Sequence, residues 1–127
     1  MSKKIINTDK APAPLGPYSQ AVQHKGFLFV SGQVAIDSAT GNTVMDTVEN
    51  ETHQVMKNLH AILKEADAKF DDIVMTTIFL SDMSLFAAVN EIYGSYFKKE
   101  FPARATVAVK ALPKNMNVEI SVIAIVS

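Results

Sequence analysis

Twelve side chains in this sequence are cationic, and only one of them, Arg104, is arginine. It lies between Phe101 and Val109 in a run, Phe-Pro-Ala-Arg-Ala-Thr-Val-Ala-Val, that otherwise reads as a buried strand. A guanidinium keeps its charge and is costly to desolvate, so among Ala, Thr and Val it calls for a planar anion matched to its fork of donors. That anion is either an in-chain carboxylate or a bound ligand. The last apolar run, Val118 to Val126, is interrupted in the same way by Glu119 and Ser121. His53 and His60 stand seven apart on one predicted helix, but a metal centre needs a third ligand and no nearby Asp or Glu converges with them. Cysteine is absent, which removes thiolate nucleophiles, thiolate metal sites and disulfides. With no Ser-His-Asp arrangement, phosphate loop or dinucleotide fingerprint either, neither a metal nor a bound cofactor is expected.

Composition narrows the class of protein. A length of 127 residues with 48% apolar content suits one globular domain over 1–127. A net charge of −1 with scattered signs offers no basic face for phosphate contacts, which argues against a nucleic-acid partner. The N-terminal stretch has only two consecutive apolar residues, Ile5 and Ile6, too few for a signal h-region or a spanning helix. A cytoplasmic protein without membrane attachment is the expectation.

The elements that must hold Arg104 and Glu119 follow from periodicity and turn chemistry. Ala11 to Pro17 carries three prolines and a glycine, which suits an extended arm and forbids a helix; regular structure is expected only after it. Ser19 to Gln23 and Phe27 to Val34 form a hairpin across His24-Lys25-Gly26, and Asp37 to Asn42 is a turn. Val48, Val55, Leu59, Ile62, Leu63 and Ala66 make the stripe of a helix from about Thr47 to Asp67, with Asp46 and Glu49 as its capping pair. Ile73 to Leu80 is a strand. Ser84 caps a second helix with the stripe Phe86, Val89, Ile92, Tyr93 and Tyr96, and Pro102 stops it from running on. Ala105 to Leu112 and Val118 to Val126 close an α+β order ββαβαββ, a mixed five-stranded sheet with two right-handed crossover helices on one face.

This arrangement leaves one sheet face bare. Strands 73–80 and 118–126 are apolar on both faces, so the second face needs cover from another copy of the chain or from the N-terminal arm. Arg104 or Glu119 on that face would stand at a subunit junction, where clefts commonly form.

Five segments in order, Gly16-Pro-Tyr-Ser-Gln-Ala21, Val30-Ser-Gly-Gln33, Val89-Asn90 with Tyr93, Phe101-Pro-Ala-Arg-Ala-Thr106 and Val118-Glu-Ile120, resemble the motifs of the YjgF/RidA family of enamine and imine deaminases. The resemblance implies a homotrimer of chorismate-mutase-like subunits with clefts between neighbours. It further implies hydrolysis of 2-aminoacrylate-type enamines and their imine tautomers to 2-oxo acids and ammonia. By position, Arg104 matches the residue that grips the substrate carboxylate and Glu119 the acid that activates water. Tyr18, Ser31, Gly32 and Asn90 match cleft-lining positions, and Gln33 completes the stretch beside the cleft. Thr106 stands where many members have cysteine; its main-chain N–H keeps a donor there, and a thiol's chemistry is lost. The same cleft could instead serve a regulator that binds 2-oxo acids without turnover. Some relatives are described as translation inhibitors or ribonucleases, for which this chain lacks a basic patch and a suitable histidine pair.

Overall fold

The computed structural model describes residues 2–127. Six strands and two helices follow one another as β1 (Lys4–Ile6), β2 (Ala21–His24), β3 (Phe27–Gln33), α1 (Val48–Glu65), β4 (Ile73–Leu80), α2 (Phe86–Gly94), β5 (Ala103–Ala108) and β6 (Val118–Ile125). They form one mixed sheet in the order β1-β2-β3-β6-β4-β5, with β4 and β5 parallel and all other neighbours antiparallel. The architecture is the expected α+β one with an additional strand. β1 precedes the proline-rich arm and pairs Ile5 with Val22 and Ile6 with Ala21. Three residues are too short a run to announce themselves; pairing to β2 creates the strand.

Local chemistry sets the boundaries. Lys25 and Gly26 both have positive φ, 49° and 83°, which matches the hairpin turn to the right-handed twist of β2 and β3. Thr47, and not the pair Asp46 and Glu49, caps α1: its hydroxyl accepts from the Asn50 N–H at 3.0 Å, while Asp46 accepts from the Asn50 side chain. Ser84 is not a cap either. Its N–H donates to Asp82, which opens a short 3-10 turn (Met83–Leu85) ahead of α2. β5 spans 103–108 instead of 105–112, because Arg104 and Ala103 already pair with β4.

Val55, Met56, Leu59, Ile62 and Leu63 of α1 are buried against the sheet, where Leu28, Val30, Ile78, Leu80, Ile120, Val122 and Ala124 meet them. Each such side chain contributes roughly 1.5–3 kcal/mol through area removed from water. On the opposite face lies a transverse row of Ile5, Val22, Phe29, Ile123, Met75 and Ala103, one residue from every strand. Ile5, Phe27, Phe29, Val107 and Ile125 on that face are 43–50% exposed. The N-terminal arm does not cover them. Gln20 pins it by accepting from Thr8 N–H and donating to the carbonyls of Thr8, Ala11 and Pro12, and Ala11 joins the core cluster with α1.

A buried carboxylate joins α1 to the start of β6. Glu51 is fully buried, and its oxygens accept from Asn117 N–H at 2.7 Å, Asn117 Nδ2 at 3.0 Å and Val118 N–H at 3.0 Å. Asn117 in turn accepts from Ser81 through both its main-chain and side-chain oxygens, which adds the end of β4 to the knot. Removing Glu51 would strand three donors, the Val118 N–H fully buried and the two of Asn117 partly so. Glu51→Ala is therefore expected to lower unfolding free energy by about 3 kcal/mol in chemical denaturation. A loss below about 1 kcal/mol would show that the knot is not a stabilising element.

Candidate functional site

The sheet register decides where the two charged residues stand. Val30, Val122, Thr76 and Arg104 share one transverse row beneath the helices, whereas Glu119, Phe79 and Val107 share a row on the open face. Arg104 and Glu119 therefore lie on opposite faces of one sheet, about 9.5 Å apart across two strands and about 10 Å apart along them, before the thickness of the sheet is added. Arg104 was expected on the open face if it served a subunit junction from there; the strand register puts it at the sheet's edge on the helix side instead.

Around Arg104 the chain builds a cleft of about 320 Å³ lined by Asn90, Tyr93, Gly94, Phe101, Pro102 and Arg104 itself. No carboxylate lines it. The guanidinium carbon sits 5.2 Å from the centre of the Tyr93 ring and 5.6 Å from that of Phe86, within the range of cation–π attraction. Asn90 is exposed on α2 and shares the cleft. Tyr93 is buried; its hydroxyl donates to Thr76 Oγ1 at 2.9 Å. Burial raises the Tyr93 pKa, with the Thr76 bond and the Arg104 charge opposing the rise.

Thr106 follows Arg104 on the same side of β5, but its side chain does not line the cleft; Oγ1 is buried without a hydrogen-bond partner among the described residues. Its main chain points elsewhere. β5 is an edge strand, and Val109 N–H donates inward to Leu80 O at 2.8 Å. In a parallel edge strand inward and outward residues alternate, so the N–H groups of Arg104, Thr106 and Ala108 point off the free edge.

The second group of residues gathers on the open face near β3 and β6. A bulge falls at Ser31 and Gly32, since Val30 pairs with Val122 and Gln33 with Ile120, leaving two residues opposite Ser121 alone. Gly32 has no positive φ; what requires glycine is closeness, because a Cβ there would lie 2.5 Å from Glu119 Oε2 and 2.8 Å from its Cδ. Glu119 is about half-buried, and desolvation raises its pKa above the ordinary 4.5. Ser31 holds a loop: its hydroxyl donates to Ser19 O at 2.6 Å and its N–H to Gln20 O at 2.9 Å. That fastens Tyr18 beside the bulge, half-exposed, its hydroxyl accepting from Leu15 N–H at 3.2 Å. Gln33 is turned into the interior, where Nε2 donates to Ser31 O.

The histidines are engaged in packing. His53 Nδ1 lies 2.7 Å from the Tyr96 hydroxyl, and His60 stacks on Phe70 at 5.8 Å; no group of three potential metal ligands occurs among the described residues. Sequence reasoning missed Glu51, Thr76 and the underside role of Tyr93. For Glu51 a signal existed: it stands four residues before Val55, on the apolar stripe, where a carboxylate must be buried and satisfied.

Residues 8–126 match the family described as Endoribonuclease L-PSP. The mouse 2-iminobutanoate/2-iminopropanoate deaminase is 49% identical over 97% of this chain and 91% of its own length. Among solved structures, the Rid family protein YyfA of Yersinia pestis superposes with a TM-score of 0.96 at 48% identity, covering 98% of this chain and 100% of that one. TdcF of E. coli with bound serine gives 0.93 at 35% identity, over 98% and 99% of the two chains.

The Gly32 contact makes a direct prediction. The obstructing atoms belong to the far end of a flexible side chain, so Gly32→Ala should fold and melt near the wild type while pushing the Glu119 carboxylate into solvent. Carboxyl-resolved NMR titration then shows the Glu119 pKa falling back toward the ordinary glutamate range. An unmoved titration would contradict the close-approach explanation.

Proposed function

Since the chain belongs to the Endoribonuclease L-PSP family, which includes the imine deaminase of mouse and the Rid proteins, we propose that it hydrolyses 2-imino acids, and the enamines from which they form, to 2-oxo acids and ammonia. The observation that carries this reading is that Arg104 is the sole charged residue lining its cleft, held against aromatic rings and free of an in-chain carboxylate there. Such an arginine offers its planar donor fork to an incoming carboxylate. The outward N–H of Thr106 supplies a further donor at the same edge. Tyr18, Ser31 and Gly32 shape the opposing wall, with Ser31 acting through the loop it holds, and Asn90 stands by Arg104.

The missing component is an acid–base group, and Glu119 provides it from another copy. Opposite faces prevent one chain from using both residues on a single small molecule. A neighbouring copy that lays its open face against the β5 edge brings its Glu119 to the Arg104 cleft and covers the exposed Phe27, Phe29 and Ile125. Because the two patches differ, the contact is head-to-tail and closes into a ring; the YjgF/RidA resemblance sets the ring at three.

Within that cleft the steps balance without any added reagent. The enamine takes a proton at carbon and gives one up from nitrogen to become the imine. Water positioned by Glu119 attacks the imine carbon and its proton passes through the carboxylate to nitrogen; the adduct's hydroxyl proton then follows the same route to the amino group, the C–N bond breaks, and ammonia leaves with the 2-oxo acid. The nuclease in the family description finds little support here, because His53 and His60 are engaged with Tyr96 and Phe70.

Two substitutions test the assignment. Arg104→Lys keeps the charge but loses the bidentate fork, so it should melt near the wild type and lose about 2–4 kcal/mol of transition-state stabilisation toward an imino acid generated in situ by an amino-acid oxidase. Normal hydrolysis by that variant would end the carboxylate-binding role. Glu119→Gln should keep its assembly and its 2-oxo acid binding and lose turnover. A base must be ionised, so wild-type activity rises with pH through the Glu119 pKa, which burial raises; the residual activity of Glu119→Gln should lack that acidic limb. Retention of the limb would assign the proton transfer to another group.

A further inference from the structure

Arginines in ligand sites are commonly oriented by a carboxylate partner, which costs them part of their donor capacity. Arg104 has rings in that place. Tyr93 and Phe86 stand 5.2 and 5.6 Å from its guanidinium carbon, and the Tyr93 ring is itself located by the hydroxyl bond to Thr76 Oγ1. Thr76 is the residue paired with Arg104 across β4 and β5. It is fully buried, and Tyr93 nearly so, which makes the bond an internal anchor and not a surface contact. Tyr93 also packs on Phe97 at 4.9 Å, so the ring is braced from a second direction.

We propose that Tyr93, anchored by Thr76, is a positioning residue for Arg104: its ring face holds the guanidinium by cation–π attraction while leaving the N–H fork unoccupied for a ligand carboxylate. The proposal deepens the functional reading above and rests on it only for the ligand's identity. The division of labour within Tyr93 is specific. The ring, braced by Phe97, aims the cation, and the hydroxyl, by bonding Thr76, contributes stability.

The chain's single arginine makes this directly observable, because one Nε–H resonance reports on Arg104 alone. A proton held over a ring face is shifted upfield. In the wild type that resonance should be displaced from the free-arginine position, and 2-oxobutanoate should perturb it. Tyr93→Phe keeps the displacement and binds 2-oxobutanoate within about threefold of the wild type, but melts at a lower temperature because Thr76 loses its partner. Tyr93→Leu should return the resonance to the free-arginine position and weaken 2-oxobutanoate binding about tenfold, with KM raised more than kcat is lowered. Phe86→Leu, beside it, keeps most of the displacement. A Tyr93→Leu protein that is folded and retains the wild-type resonance overturns the proposal. Should 2-oxobutanoate leave the wild-type resonance untouched while Tyr93→Leu still moves it, the positioning role stands and the carboxylate reading of the cleft fails.

Discussion

Side chains on a strand alternate between faces, and that constraint governs everything else about this site. Counting along the paired rows from Val122 through Thr76 reaches Arg104 on the helix side, and counting from Phe79 reaches Glu119 on the open side. A single chain thus owns a cation that can grip an anion and a carboxylate that can handle a proton, yet cannot apply both to one small molecule. In the proposed assembly, a contact that buried the bare apolar row across all six strands would also bring a second chain's carboxylate to the first chain's cleft. Burial and chemistry would then be served by one contact.

Much of the remaining structure acts to hold these two groups still. Glu51 and Asn117 fix the beginning of β6 one residue before Glu119, and the bulge at Ser31 and Gly32 opens the space that its carboxylate fills. Gln20 and Ser31 tie down the loop that carries Tyr18. On the other side, Thr76 and Tyr93 support Arg104 from within the core. Burial raises the Glu119 pKa, so its carboxyl group ionises at a higher pH than a solvated glutamate does. Sign follows from direction. The stability associated with its protonated form is present at acid pH and is lost as pH rises through the raised pKa.

The helices and long strands were legible because each buries one face at a fixed period: Val55, Leu59, Ile62 and Leu63 announce α1 without ambiguity. The prolines likewise announced the arm, and Lys25-Gly26 the hairpin. β1 was not legible, since three residues carry no period and depend on pairing with β2 for their existence. Capping was misread where several candidates stood together; Thr47 prevailed over Asp46, and Asp82 over Ser84, by geometry that composition does not encode. At the site, the isolation of Arg104 among apolar neighbours was visible, as was the interruption of β6 by Glu119. Which face each occupies was not, because the sheet order places β6 between β3 and β4, and only the register fixes the parity. Glu51 was legible in part: its place on the apolar stripe signals burial, but its donors lie sixty-six and sixty-seven residues away, and local sequence gives no account of them.

The claim that one chain supplies Arg104 and another Glu119 to the same cleft is tested most directly by mixing two impaired proteins. Arg104→Ala and Glu119→Gln chains, unfolded together and reassembled in equal amounts, would form a population of rings, mostly mixed, in which about one cleft in four overall pairs an intact arginine with an intact glutamate. Imine hydrolysis should then recover to about a quarter of the wild-type rate, while each variant reassembled alone stays at its own low residual rate. Mixed rings that form, as verified by native mass spectrometry, and yet show no recovered hydrolysis would contradict the shared site.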